Sequence, residues 1–445
     1  MRFIPVTCEQ RSEMLRTVGA ETIDDLFADI PEAARPGRPL ALPEEMGEVE
    51  LAAHLEELAG RDAHAGTVVS FMGGGCYDHY VPAIVDAVVS KPAFFTAYTP
   101  YQPEVSQGTL QAVYEYQSMI CSLTGMDVAN ASLYDGATAF VEAALMAARV
   151  TRRSEVVVSG AVHPEWRETL RTYAEGGALS VIDCPARGGL TDTAALRALV
   201  SGNTAAVLAA SPTFYGTLDE LQEMAEIAHG AGALLVAGTN PILLGVLEPP
   251  SAAGADIVVG EGQPLGSSMS FGGPGLGVFA CRQEHLRQMP GRVVGRTVDV
   301  DGRTGFVLTF ATREQHIRRE KATSNICSNH ALNALAAGVY LSAVGVEGLA
   351  GIGRACVAKA HYLEQALMGT GHFERVFDAP FANEFTLLYS GDVSAMQRAL
   401  LAAGFFAGLD LGRFRSEDAG LVSFAVTEKR TRAQMDRLVA EVGAR

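Results

Sequence analysis

From about residue 106 the apolar positions fall into two alternating rhythms, a helical stripe and short continuous apolar runs. "SQGTLQAVYEYQSMICSLTG" and "ATAFVEAALMAARV" carry the stripe, followed by the strand run "EVVVSG" and the helix "PEWRETLRTYAEGG". Strand "ALSVID", helix "TAALRALVSG", strand "AAVLAAS" and helix "TLDELQEMAEIAHGAG" continue the rhythm, and the runs "ALLVAG", "DIVVG" and "LGVFAC" close it. Short buried strands alternating with amphipathic helices specify an α/β domain with a mainly parallel sheet covered on both faces. After "SNHALNALAAGVYLSAVG" the texture changes. Strands "EFTLLYS" and "LVSFAVTE" then alternate with helices around 355–369, 393–403 and 431–443, the pattern of a smaller α+β domain. The opening residues look like an arm. "SEMLRTVG" and "TIDDLFADIP" are short helical patterns, the second stopped by Pro31, and "EVELAAHLEELAG" is an amphipathic helix ended by Gly60. The chain therefore divides into a helical arm at 1–70, a large α/β domain at 71–325 and a small α+β domain at 326–445.

Composition narrows the classes. A hydrophobic fraction of 48% with 19% charged residues belongs to a globular chain of 445 residues. The formal charge of −17 repels phosphate backbones and anionic lipid, which argues against nucleic acid and membrane as partners. The N-terminus lacks the apolar core of a signal peptide, and no apolar run is expected to span a membrane. Seven cysteines, at 8, 76, 121, 184, 281, 327 and 356, are scattered without a CxxC pair and read as reduced thiols of a cytoplasmic protein.

Several candidate chemistries fall away. "GPGLG" and "GIGRAC" lack the strand–GxGxxG–helix context of a dinucleotide site. "FMGGGCYDHY" holds Cys76, Asp78 and His79 with no second ligand pair at metal spacing, so it reads as a flexible turn and no metal is expected. His163, before Pro164, stands at the carboxyl edge of the predicted sheet, where open α/β sheets bind ligands. In "YDGATAF", Asp135, Gly136, Ala137 and Thr138 open a helix, and free N–H groups with a hydroxyl there form an anion cradle as readily as a plain cap.

The stretch "DIVVGEGQPLGSSMSFGGPG" carries the sharper signal. A strand, a polar bend and a glycine-rich loop are the setting in which many vitamin-B6 enzymes place the lysine that binds the cofactor. Here the bend reads Glu261-Gly262-Gln263-Pro264-Leu265. The chain has four lysines, Lys91, Lys321, Lys359 and Lys429, and none between 91 and 321. Schiff-base chemistry needs an amine that can be deprotonated near neutrality, and arginine cannot supply it.

Three segments resemble the P-protein of the glycine cleavage system: "FFTAYTPYQPEVSQGTLQAVYEYQSMICSLTGMDVANASLYDGATAFVEAALMA", "REQHIRREKATSNICSNHALNALAAGVYL" and "MLRTVGAETIDDLFADIP". The likeness is to the α chain, subunit 1, of the two-chain glycine dehydrogenase (decarboxylating), and it runs over essentially the full length. It implies the fold-type I architecture of pyridoxal-phosphate-dependent transferases. It also implies a homologous β subunit that carries the lysine and the pyridoxal phosphate, with glycine decarboxylated and its aminomethyl group passed to the lipoyl arm of the H-protein. In this alignment the β-chain lysine is matched by Gln263 or Pro264. The aspartate that β-type chains hold against the pyridine nitrogen is matched by Ala237 in "LLVAGTN". Asp135–Thr138 and His163 would then line a degenerate cofactor pocket. Without an acid at the ring nitrogen such a pocket is a poor electron sink. The catalytic contribution expected of this chain is to its partner's site. Tyr98, Thr99, Tyr101 and Gln102 of the stiff loop "TAYTPYQPEVSQG" would line that site, with Gly272 and Gly273 of "SFGGPG" approaching its phosphate. A stand-alone pyridoxal-phosphate lyase or aminotransferase would need a lysine after "DIVV". A non-catalytic scaffold would need none of these loops.

Overall fold

The computed structural model describes residues 6–326 and 328–444, so Cys327 and Arg445 lie outside the described residues, as do residues 1–5. The chain forms two compact units, Met1–Ala63 and His64–Arg445. In the first, helix α1 (Cys8–Val18) opens on a capping box in which Thr7 and Gln10 satisfy each other's amides. Helix α2 spans Glu48–Ala59. "TIDDLFADIP" was expected to be helical but makes only a 3-10 turn, Asp24–Phe27. The Asp25 carboxylate accepts the Glu21 and Thr22 amides at 2.9 and 2.7 Å, and such local bonding competes with a regular helix. No described residue of this unit is buried, and Met14, Leu26, Phe27 and Leu55 are exposed.

The second unit is built on a seven-stranded sheet. Its strands are β1 (Val128–Ala129), β2 (Glu155–Ser159), β3 (Ser180–Cys184), β4 (Thr204–Ala210), β5 (Leu234–Thr239), β6 (Ile257–Glu261) and β7 (Gly277–Cys281). The spatial order is β1-β7-β6-β5-β4-β2-β3, parallel from β6 through β3, with β7 antiparallel to both neighbours. The apolar runs of the sequence are these strands, and the central ones are buried on both faces while the edge strand β3 is largely open. One face packs Val207, Ala209, Leu235, Ala237 and Val258 with helix α3 (Gln107–Thr124). The other packs Leu208, Ala210, Val236 and Val259 with α4 (Gly136–Thr151) and α5 (Pro164–Ala174). A fully buried Leu or Phe stabilises such layers by about 1.5–3 kcal/mol.

A hairpin that the apolar pattern did not reveal, β8 (Val293–Val298) with β9 (Thr304–Thr309), leans on α3. Gln117 bonds both the carbonyl and the amide of Val294, at 3.0 and 2.9 Å. Helix α6 (Ala331–Met368) then runs from the large core, through Ala334, Ala337 and Tyr340, to the C-terminal core, through Ala360, Leu363 and Leu367. Against the expectation from the sequence, α6 is long and apolar enough to cross a membrane by length and composition. Its apolar residues supply the two cores, and its backbone is broken at Gly345 (φ 61°, ψ −176°). The C-terminal part is a four-stranded antiparallel sheet, β10 (Phe373–Arg375), β11 (Glu384–Tyr389), β12 (Leu409–Asp410) and β13 (Leu421–Ala425), in the order β10-β11-β13-β12.

Candidate functional site

At the carboxyl edge of the sheet a cavity of about 70 Å³ is lined by Gly75, His163, Trp166, Gly238, Asn240 and Glu261, among others. His163 stands here, as the residue that opens α5. Its Nε2–H donates to the Gly74 carbonyl at 2.8 Å and its Nδ1 accepts the Glu165 amide at 3.2 Å, which fixes a neutral imidazole. Burial lowers its pKa, outweighing the bond to Gly74. The ring meets Phe214 edge-on at 4.8 Å. His163 is a wall, not a free base.

Asp135 caps α4 through the Thr138 amide at 2.8 Å. The anion cradle is filled by Glu261, a residue the sequence reading passed over. Its carboxylate accepts the amides of Gly136 (2.9 Å), Gln263 (2.8 Å) and Leu276 (2.8 Å). Burial raises its pKa, and these three donors oppose the shift. The indole of Trp166 closes the other side. A Cβ on Gly136 would lie 2.4 Å from Trp166 Cζ2, and one on Gly238 would lie 3.1 Å from Cζ3, so neither position tolerates a larger residue while the indole stays in place.

Ala237 lies in the core on the opposite face of the sheet, and Gly238 is the position that faces this cavity. Gln263 is buried. Its amide accepts from the Tyr77 N–H at 3.1 Å and donates to the carbonyls of Tyr77 and Ser267 at 3.2 and 2.7 Å, tying the bend to the loop of "FMGGGCYDHY". Pro264 is buried beside it. No lysine supplies an amine here. Lys359 donates to the Glu428 carbonyl at 2.5 Å, Lys429 pairs with Asp78 at 2.5 Å, and Lys91 and Lys321 are exposed. The residues of this pocket do not fit a pyridoxal phosphate.

The turn residues once weighed for metal binding find other partners. Asp78 pairs with Lys429 and Arg430, and burial pushes the Cys76 thiol up to about 11. His79 Nδ1 meets Glu428 at 2.6 Å with Cys356 Sγ 3.7 Å from the same carboxylate oxygen, a hydrogen-bonded triad whose donor atoms lie within 4.8 Å.

A larger cavity, about 370 Å³, is lined by Tyr98, Thr99, Pro274, Arg292, Asn329 and His330 among others. Tyr98 is 88% exposed at its rim. Tyr101 is exposed and lies outside the lining. The buried Arg292 donates from Nη2 to the Tyr101 hydroxyl at 3.2 Å and lies 5.4 Å from its ring. Gln102 is exposed and outside the lining. The loop "SFGGPG" reaches the cavity through Pro274. Gly272 takes a positive φ of 104° and Gly273 is extended. Both backbones are open, with no atom within 4 Å of a Cβ on Gly272. The base of the loop is fastened at the entry to α6, where His330 Nδ1–H and Asn333 Nδ2 donate to the Gly275 carbonyl at 2.7 and 3.0 Å. Arg292, Asn329 and His330 were not found from the sequence. "SNH" fell within a segment that carried the resemblance, and no role was given to its residues.

A seven-stranded sheet of this order, with one antiparallel strand and a small α+β domain after a long helix, defines the fold-type I class of pyridoxal-phosphate-dependent enzymes. A sphingosine-1-phosphate lyase of Burkholderia pseudomallei shares the fold at 17% identity, with a TM-score of 0.66 over 93% of this chain and 94% of that one. The family model described as glycine cleavage system P-protein matches residues 1–442. Among similar sequences, a probable glycine dehydrogenase (decarboxylating) subunit 1 of Geobacillus kaustophilus is 50% identical, covering 99% of this chain and 98% of the relative. The corresponding protein of Desulforamulus reducens is 49% identical over the whole of both. The crystal structure of a glycine decarboxylase (P-protein) of the glycine cleavage system, in inhibitor-bound form, superimposes with a TM-score of 0.91 at 44% identity over 100% of both chains. The chain belongs to the glycine cleavage system P-protein family, in its subunit 1, or α, branch.

Proposed function

We propose that this α chain acts in glycine decarboxylation as one half of a shared enzyme. A homologous β subunit binds the pyridoxal phosphate through its own lysine, and the α chain supplies part of the wall of that site. The observation that carries this reading is the contrast between the two cavities. The sheet-edge pocket holds no amine and is filled by Glu261 and Trp166. The open cavity at Tyr98 presents the Tyr98 and Thr99 hydroxyls, the buried Arg292 and, from the loop "SFGGPG", Pro274, while the open glycines Gly272 and Gly273 lie just outside the lining. The cofactor, held by the partner, supplies the electron sink for loss of CO2 from glycine. Tyr98, Thr99 and Tyr101, with Gln102 at the margin, orient substrate and exclude water. Backbone N–H groups at Gly272 and Gly273 approach the partner's phosphate, for which open glycine backbone is suited. The aminomethyl product passes to the lipoyl arm of the H-protein. The unpaired described cysteines support a reducing, cytoplasmic setting.

The test is glycine-dependent exchange of labelled CO2 by the α chain alone, the β chain alone and the co-expressed pair. Activity in the pair alone is expected. Full exchange by the isolated β chain would reduce this chain to a scaffold, and exchange by the isolated α chain would overturn the assignment of the cofactor.

A further inference from the structure

We propose that Glu261 is a tethered anion that keeps phosphate-bearing ligands out of this chain's own sheet-edge pocket. The sixteen-residue helix α4 directs its Gly136 amide and its partial positive charge at one point, the Thr138 amide being capped by Asp135. A carboxylate from the end of β6 already sits there, with three N–H···O contacts of 2.8–2.9 Å. Two of those donors, Gln263 and Leu276, come from the bend and the glycine loop, so the carboxylate joins three segments at once. The loop closes over it, because a Cβ on Gly275 would lie 2.8 Å from Glu261 Oε2. Among the described residues lining the cavity there is no lysine or arginine, while Glu384 brings a second buried carboxyl. Asp135, outside the lining but close to Glu261 across Gly275, adds a further carboxylate, its Oδ1 held by Thr138. A phosphate entering this pocket would have to displace the Glu261 carboxylate and would find no cation in the lining. The absence of the lysine explains why no covalent bond forms here. Glu261 explains why the phosphate does not bind either, which is a separate requirement.

The inference does not depend on the partner's chemistry, since its probe is inorganic phosphate. Trp166 is the chain's one tryptophan and lies against the cavity, so its emission reports entry. The full-length parent chain should give no saturable change with phosphate, and a saturable response in the parent overturns the proposal. Glu261→Ala exposes the three amides, and the pair Glu261→Ala/Asp135→Asn removes the second charge while keeping a capping side chain. Phosphate should bind these variants at least about tenfold more tightly than the parent. Pyridoxal phosphate, added as a second probe, should gain less because Trp166 still blocks the ring. If folded variants, judged by parent-like circular dichroism, show no gain, Glu261 is not the barrier. Glu261→Ser gives the same test should the alanine variant not fold. Failure here leaves the shared-enzyme reading standing, because that reading is tested by CO2 exchange in the assembled pair.

Discussion

Tyr101 and Arg292 come from positions 191 residues apart, and their contact binds the tyrosine loop to the start of the β8–β9 hairpin. Tyr101→Phe removes the acceptor of a charged donor but leaves the ring beneath the guanidinium. A hydrogen bond to a charged group is worth about 1.5–3 kcal/mol, so turnover by the assembled pair should fall by about tenfold or more. Cofactor content, read from the visible spectrum of the pair, should be unchanged. Glu384 offers a different test. It is fully buried, and its carboxylate accepts from the Gly74 amide, the Tyr77 hydroxyl and the Ser423 hydroxyl at 2.7–2.8 Å. Burial raises its pKa, with those bonds opposing the shift. The folded state therefore holds the proton more firmly than the unfolded chain. Stability from this group is present below the ordinary carboxylate range and declines as pH rises from there through the raised value, by at most about 1.4 kcal/mol per pH unit. Glu384→Gln should flatten that decline in urea titrations between mildly acidic and neutral pH. An unchanged slope would mean that Glu384 titrates normally. His163 at a strand end and Asp135–Thr138 at a helix start were legible because these are local signals. Glu261, Trp166 and Arg292 were missed because their roles come from partners far along the chain. Glu261 meets Gly136 across 125 positions, and no local pattern records that.

At the scale of elements, the succession of strands and helices along the chain followed from apolar runs and intervening stripes, since period and length are written in each segment, while the spatial order of the strands was not read from the sequence. Of helix α6 only the part around 355–369 was named as a helix, because the segment before it was read only as a change of texture, while α6 continues through the break at Gly345 from one core to the other. The β8–β9 hairpin escaped because its strands are half-exposed and their apolar residues are interrupted by Gly295, Arg296 and Gly305, although "DVDG" carries a turn signal at Asp299–Gly302. The break in α6 is testable. Gly345 has a positive φ with no atom within 4 Å of an added Cβ, so Gly345→Ala meets backbone strain alone. A cost of about 1–3 kcal/mol is expected, seen as a lower thermal midpoint; a rise would show that the helix straightens freely there. The loop anchored by α6 gives a second test. Asn333→Ala removes the bonds to Pro274 and Gly275 at 3.3 and 3.0 Å. Amide exchange should quicken across 272–275 while the sheet core stays protected, and equal rates would leave His330 as a sufficient anchor.

For the whole molecule the exposed apolar surface decides behaviour. The first unit buries no described residue, and Phe95, Tyr98, Tyr101 and Phe271 are exposed around the larger cavity in the second unit. Such surface is characteristic of chains that assemble. Expressed without its partner, the chain should self-associate in sedimentation velocity, and co-expression should replace those species with a single mixed assembly. A stable monomer would contradict an obligate partner. Glu261 bears on the assembly in another way. A side chain fixed beside its acceptor site competes as an intramolecular ligand, at an effective concentration set by geometry and not by the cell. Raising or depleting free phosphate leaves its occupancy untouched. On the proposed reading, the exclusion of phosphate from this pocket is written into the polypeptide and not set by the surroundings.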